Sequence, residues 1–192
     1  MFYVTMYFIR VYESTLGCRS WTPAQKLVYS TVQWFSELSD GIAYPSISSI
    51  AEKSGVSWRT AQWASSKLSE QGYFTRKFGC NRQSYSYVIE ARPAFTSKRK
   101  EHDGYIELTR GELQGWNVPI NIKFVFGCLK RFERICRPVT SIVELSDMAG
   151  VKVRNAVEAL LLMERIGMIE VACDTRRLFK DHHQEIECEI TL

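Results

Sequence analysis

The chain has 192 residues, of which 45% are hydrophobic and 24% charged, a composition typical of a globular protein with one large domain or two small ones. Its net charge is +4, and ten Lys and Arg against six Asp and Glu place the whole excess in residues 1–95. This mild bias allows an anionic partner without requiring one, and it excludes neither binding nor catalysis.

The N-terminal residues 1–11 are apolar, aromatic and β-branched, which predicts a strand. They lack a basic leader and a small-residue cleavage site, so we expect neither a signal peptide nor a membrane span. A first helix begins after Thr22, because Pro23 suits the first helical position and Gln25 completes a capping box. It ends at Asp40-Gly41.

A helix-turn-helix pattern follows. Ser46 caps a short second helix that ends at Gly55, and Ser57 caps a third that ends at Gly72. Two strand-like segments then flank a loop with Gly and Asn at residues 77–83, which predicts a hairpin. Helix, short helix, turn, helix and hairpin is the order of a winged helix-turn-helix.

The pattern recurs at a spacing of 95 residues. Residues 55–61 align with residues 150–156, and Gly72 aligns with Gly167. Glycines at these positions suit a left-handed turn and a helix stop. The sequence therefore predicts the same order of elements in each half.

From this repeat we predict an α+β, mainly helical fold with two tandem winged helix-turn-helix domains. We expect the first domain, residues 1–95, to read DNA, because it holds the helix-turn-helix pattern and the basic excess. Residues 96–104 form a linker, and residues 105–192 form a second domain for assembly or auxiliary DNA contact.

Residues 43–62 read A-Y-P-S-I-x-x-I-A-x-x-x-G-V-S-x-R-T-x-Q. With Leu68 and Gly72, this pattern resembles the winged helix-turn-helix module of phage and plasmid replication proteins, over about residues 20–90. The apparent duplication also resembles replication initiators built from two winged helices. The resemblance implies that the third helix enters the major groove and that the hairpin meets the DNA backbone. The second half lacks both the Y-P-S and the R-T-x-Q elements.

The third helix carries side chains suited to base contacts. Arg59 can bond guanine bidentately, and Gln62 can bond adenine. Trp58 and Trp63 either pack on a sugar, a thymine methyl or an unstacked base, or cover the edge of the core. Cations on the hairpin suit phosphate contacts, unless they are simply solvated. The predicted DNA-binding residues are Ser57, Trp58, Arg59, Gln62, Trp63, Ser66, Arg76, Lys77 and Arg82.

The second copy differs at the equivalent positions, where Glu158 replaces Trp63 and leucines replace Ser65, Ser66 and Lys67. Glutamate repels phosphate, and an apolar row favours protein contact, although some of these leucines must be core. We therefore predict an interface at Val157, Leu161 and Leu162. Auxiliary DNA contacts are predicted at Lys152, Arg154, Arg176 and Arg177.

No motif for catalysis or cofactor binding is evident, so we expect a protein that is not an enzyme and has no cofactor. Six scattered cysteines without a C-x-x-C pair favour reduced thiols and a cytoplasmic location. His182 and His183, with Cys173 and Cys188, fit no zinc spacing, so no metal is expected.

The leading interpretation is a sequence-specific, duplex-DNA-binding replication initiator of a phage or plasmid. A transcriptional repressor would have nearly the same signature. A tandem winged-helix scaffold of a chromosome or replication complex is a third interpretation, against which the basic first half counts. The expected partners are double-stranded DNA, a second copy in a homodimer and replication proteins, with no membrane.

Overall fold

The computed structural model describes residues 7–39, 41–78, 85–90, 104–135, 139–171 and 185–191. The chain folds into two compact units, Met1–Asn117 and Val118–Leu192. The fold is α+β and mainly helical with small antiparallel sheets, which confirms the predicted class. Within the described ranges, every helix is too short or too polar to cross a membrane.

The first unit is built around three helices. Its elements in chain order are β1 (Phe8–Tyr12), α1 (Glu13–Leu16), α2 (Pro23–Glu37), β2 (Ile42–Ala43), α3 (Ile47–Ser54), α4 (Trp58–Glu70), β3 (Phe74–Phe78), β4 (Tyr85–Ile89), β5 (Tyr105–Thr109) and a π-helical turn (Gly111–Gly115). The sheet order β2-β4-β3 is antiparallel throughout.

The second unit contains a shorter set of elements. They are α5 (Ile120–Arg134), β6 (Val139–Ser141), α6 (Ile142–Ala149), α7 (Val153–Arg165), β7 (Ile169–Val171) and β8 (Glu185–Ile190). Its sheet has the order β6-β8-β7 and is also antiparallel.

The helix boundaries follow the predicted capping residues. Thr22 accepts a hydrogen bond from the amide of Gln25, whose side chain accepts one in return from the amide of Thr22, so the capping box is present. Ser46 and Ser57 cap α3 and α4. Gly55 ends α3 with φ +66°, a left-handed conformation that only glycine adopts at little cost.

The core of the first unit lies between α2, α3, α4 and the β2-β4-β3 sheet. It is formed by aliphatic and aromatic side chains, namely Trp21, Val28, Tyr29, Val32, Ala43, Ile47, Ile50, Ala51, Ala61, Ala64, Leu68, Phe74 and Tyr87. This packing holds α4 on the core with one side buried and the other free.

Strand β5 pairs with β1, although nearly a hundred residues separate them. The inward side chains Ile9, Val11, Ile106 and Leu108 are fully buried, and burying each stabilises the fold by about 1.5–3 kcal/mol. Residues 104–117 thereby belong to the first unit. The unit boundary after Asn117 lies later than the predicted start of the second domain at residue 105, because this long-range pairing joins β5 to β1. The predicted linker, residues 96–104, lies outside the described residues except for Gly104.

Candidate nucleic-acid interface

Helix α4 has one buried and one exposed side. Ala61, Ala64 and Leu68 are fully buried, as their spacing predicts, and Ser65 is buried with them. The burial of Ser65 was not predicted, because a serine beside an alanine stripe gives no hydrophobic signal. The buried side of α4 is therefore wider than the stripe of Ala61, Ala64 and Leu68.

Both tryptophans of α4 lie on the exposed side. Trp58 is 52% exposed and Trp63 is 46% exposed. Arg59 and Gln62 beside them are also exposed. The alternative that the tryptophans cover the edge of the core is therefore not what the structure shows, and about half of each indole surface is open to a partner.

The exposed polar side chains in the first two turns of α4 are Arg59 and Gln62. Across the described residues, the side chains of Arg59 and Gln62 make no hydrogen bond or ion pair, and the two indoles make no ring contact. By contrast, Lys67 one turn later is paired with Glu70 at 2.7 Å. We name the four residues Trp58, Arg59, Gln62 and Trp63 the α4 face.

Ser57 has a structural role at the start of α4. Its hydroxyl oxygen accepts a 3.1 Å hydrogen bond from the amide of Thr60 and lies 2.8 Å from the Thr60 hydroxyl. These bonds satisfy one of the amide donors that the first turn of a helix leaves without a partner. Ser57 is exposed, so it lies at the surface while its oxygen is used by the cap.

Arg76 is turned toward α4. Its Nη1 donates to the hydroxyl of Ser66 at 3.1 Å and reaches that of Ser65 at 3.5 Å. The guanidinium carbon lies 4.5 Å from the ring centroid of Tyr85, a cation–π distance. Arg76 and Ser66, both predicted to contact DNA, are thus bonded to each other, and Arg76 links the sheet to the helix.

The direction of Arg76 follows from strand geometry. Alternate residues of a strand share a face, and Arg76 shares its face with Phe74, which is 1% exposed. Its cross-strand neighbour Tyr87 is fully buried. Burial raises the pKa of the Tyr87 hydroxyl, an effect that the charge of Arg76 opposes. Lys77 points the other way and is exposed, as a phosphate contact requires.

The corresponding helix of the second unit, α7, is different in character. Arg154 donates to Glu158 at 2.9 Å in an i,i+4 ion pair. Lys152 is exposed at the N-terminal cap position. Position 158 aligns with position 63. Trp63 carries no charge that could pair with Arg59, whereas Glu158 at the aligned position neutralises Arg154.

Val157 does not form part of an exposed patch, contrary to the interface prediction. It is fully buried, together with Ala156, Ala159, Leu160 and Met163. The prediction assumed one buried stripe, but α7 packs against α5, α6 and β7, which widens the buried arc. Leu161 and Leu162 are half-buried.

Other predicted residues fall outside the described ranges. They are Arg82 in the first unit, and Arg176, Arg177, Cys173, His182 and His183 in the second. Among the residues that the structure does describe, no three His, Cys, Asp or Glu side chains are grouped so that they could hold a metal ion.

One contact of the helix-turn-helix was missed by the sequence reasoning. The π-helical turn Gly111–Gly115 packs on α3, and a Cβ atom on Gly55 would overlap the carbonyl group of Leu113. The Gln114 amide donates to the Glu52 carbonyl oxygen at 2.6 Å and to the Tyr7 hydroxyl at 2.9 Å. No local pattern indicates this contact, because its two sides are about sixty residues apart.

Comparison with known families agrees with this geometry. Residues 22–74 match the sequence model of a family described as a helix-turn-helix domain. The match spans α2, α3 and α4 and reaches the first residue of β3. No curated protein and no solved structure matches the chain. The first unit therefore contains a helix-turn-helix module, which indicates binding to double-stranded DNA.

Proposed function

We propose that this chain is a sequence-specific duplex-DNA-binding protein with two tandem winged helices. Its first unit reads the DNA, and its second unit serves assembly. We further propose that it initiates replication of a phage or plasmid and acts by binding rather than as an enzyme. The helix-turn-helix match supports DNA binding, whereas the replication role depends on the resemblance of residues 43–62 to replication proteins.

The main support for the proposal is the α4 face, where the polar side chains have no bonding partner among the described residues. Arg59 and Gln62 are exposed and have no partner among the described residues. A planar guanidinium and a side-chain amide are the groups that bond guanine and adenine edges bidentately in the major groove. They lie in the first two turns of the second helix of the helix-turn-helix, where base contacts concentrate.

The sheet supports a winged-helix interpretation of the first unit. Strands β3 and β4 pair directly after α4, and Lys77 is exposed on β3. Cations on such a hairpin contact phosphates and so orient the reading helix. Arg76 holds the same hairpin to α4 through Ser66, so the hairpin and the helix would meet DNA as one body.

Equivalent backbone conformations support a duplication. Gly55 and Gly150 have φ values of +66° and +61°, and Gly72 and Gly167 have +76° and +72°. Equivalent hydrogen bonds follow the same spacing: Val56 to Ala51 and Val151 to Ser146, then Tyr73 to Leu68 and Met168 to Met163. Two unrelated folds would not be expected to share turns and helix ends position by position.

The second unit is proposed to have lost base reading. Its Arg154 is paired with Glu158, and a carboxylate on the groove-facing side of a helix repels phosphate. The half-buried Leu161 and Leu162 remain available in part for contact with a second copy or with a replication protein. This division of roles explains why the basic excess lies in residues 1–95.

A mobility-shift assay with the full-length chain tests the DNA-reading role. A preferred duplex is first selected from a random pool. Arg59→Ala and Gln62→Ala should each cost about 1–3 kcal/mol on that duplex and little on random duplex. Arg154→Ala is the matched control and should change neither affinity. Equal losses on both duplexes for Arg59→Ala would remove the base-reading role.

The replication role needs a separate test. A plasmid without its own origin is given the coding sequence and the selected site. We expect it to be maintained with the wild-type chain and lost with Arg59→Ala. If the wild-type chain instead only represses a promoter next to the site, the transcriptional-repressor alternative is favoured.

A further inference from the structure

We propose that Trp58 and Trp63 contact the C5-methyl groups of thymines in the major groove, so that the preferred site has thymines on both sides of the base pairs read by Arg59 and Gln62. This inference rests on the proposed function, because it describes the DNA that the same helix binds. The two tryptophans then contribute to sequence specificity and not only to the affinity for any duplex.

The two tryptophans of α4 lie on opposite sides of Arg59 and Gln62 around the helix axis. Successive residues of a helix are rotated by about 100°, which places Trp58 and Trp63 about 140° apart around the axis. The directions of Gln62 and Arg59 both fall between them. The α4 face therefore has a hydrogen-bonding centre with one indole on each side.

Both indoles are about half exposed. Trp58 and Trp63 are 52% and 46% exposed, and neither ring packs on another aromatic ring in the part of the chain that the structure describes. Their neighbours in sequence on the exposed side are polar. Two half-open indoles beside unpaired hydrogen-bonding groups are typical of a surface that becomes buried on binding.

The chemistry of the major groove selects the partner of the indoles. The thymine methyl is the apolar group that base edges display there. It lies toward the backbone of its own strand, so a side chain on the flank of a helix meets it while central side chains reach the hydrogen-bonding edges. An unstacked base is disfavoured as a partner, because bidentate contacts by Arg59 and Gln62 require bases held in the duplex.

The test replaces single thymines of the selected duplex by deoxyuridine, which removes one methyl group and leaves base pairing unchanged. The full-length chain should bind about fourfold more weakly for each thymine that an indole contacts. This readout uses the wild-type protein, so it does not depend on whether a tryptophan variant folds. Selected sites without thymines on both sides, or equal affinity for the uridine duplexes, would overturn the inference.

Variants then assign each methyl to an indole. Trp58→Ala and Trp63→Ala should each abolish the effect of uridine on one side of the site and keep it on the other. Gln62→Ala is the control, since it should change base preference and keep both uridine effects. If both tryptophan variants keep the full effect of uridine on both sides of the site, the inference is also overturned. Absence of any selective duplex binding would instead overturn the proposed function, so the two failures are distinguishable.

Discussion

The side-chain amide of Gln114 donates a hydrogen bond to the main-chain carbonyl oxygen of Glu52, at 2.6 Å. Glu52 lies in the last turn of α3, whose carbonyl groups lack intrahelical partners, and this oxygen also receives a 3.4 Å bond from the amide of Gly55. A residue beyond the predicted linker thus completes the end of the first helix of the helix-turn-helix.

The first prediction concerns the minimal length of the first unit. A fragment of residues 1–95 lacks β5 and the π-helical turn, so it exposes Ile9 and Val11 and removes the bond to Glu52. We expect its free energy of unfolding to be about 3–6 kcal/mol lower than that of residues 1–117. Urea unfolding followed by circular dichroism measures this difference. Equal midpoints would show that residues 104–117 contribute nothing to stability.

The second prediction separates backbone conformation from packing at Gly55. Gly55→Ala places a Cβ against the Leu113 carbonyl in a residue with φ +66°. Gly72→Ala is the matched control, since φ is +76° there and no other part of the described chain lies within 4 Å of the new Cβ. Left-handed strain costs both variants about 1–2 kcal/mol. The overlap should cost Gly55→Ala about 1–3 kcal/mol more, and equal thermal midpoints would contradict the contact.

Local rules were sufficient to predict the helix-turn-helix. Thr22, Ser46 and Ser57 act within three residues of their partners, and Gly55 and Gly72 fix their own dihedral angles. Such features depend on neighbouring residues and are therefore visible in sequence. The exposed direction of Arg59 and Gln62 also followed, because the alanine stripe of α4 determines which side is buried.

The missed features depend on residues distant in sequence. The pairing of β1 with β5 and the contact of Leu113 with Gly55 have no local signature. The predicted exposure of Val157 is wrong because it depends on a single buried stripe, whereas α7 packs against α5, α6 and β7. Arg76 is a different case, because the sequence contains two opposing signals. Its position two residues after Phe74 indicates an inward direction, whereas its charge favours an exposed phosphate contact.

The third prediction contrasts two adjacent cations of β3. Lys77→Ala should weaken binding to all duplexes alike and reduce the slope of log affinity against log salt by about 1, as expected for one lost phosphate contact. Arg76→Met should leave that slope unchanged and lower the free energy of unfolding by about 1–2 kcal/mol, because its bond to Ser66 and its contact with Tyr85 are lost. A reduced slope for Arg76→Met would return Arg76 to a phosphate contact.

The fourth prediction concerns a variant of α4 that copies the ion pair of α7. Trp63→Glu puts a carboxylate four residues after Arg59, the spacing at which Arg154 and Glu158 are 2.9 Å apart. Affinity for the selected duplex should fall at least about tenfold, and Trp63→Gln, which adds no charge, should lose less.

Repulsion of phosphate by the new carboxylate must be separated from sequestration of Arg59. If sequestration operates, Trp63→Glu costs less affinity when Arg59 is already alanine, so a double-mutant cycle gives a coupling energy. Additive losses would show that the carboxylate acts on the DNA and not on Arg59.

The last prediction concerns the pH dependence of stability and depends on Lys26. This side chain is 1% exposed and its Nζ donates to the Leu16 carbonyl oxygen at 2.5 Å. Burial lowers its pKa from 10.5 to about 8, an effect that Cys18 opposes. Between these two pH values the unfolded chain holds a proton that the folded chain has released. The free energy of unfolding therefore rises with pH across this window, by about 3 kcal/mol in total.

Below pH 8 both states are protonated and the contribution of Lys26 to the slope vanishes. Above about pH 10 the tyrosines act in the opposite direction, since burial raises the pKa of Tyr7, Tyr12 and Tyr87. Urea unfolding is therefore compared between about pH 8 and 10, where most of the Lys26 contribution develops and the tyrosines do not yet act. Lys26→Met should flatten the rise. Lys123→Met is the companion variant, because burial lowers the pKa of Lys123 as well, and it should remove a separate part of the slope. An unchanged slope in Lys26→Met would mean that Lys26 holds its proton in the folded chain throughout this range.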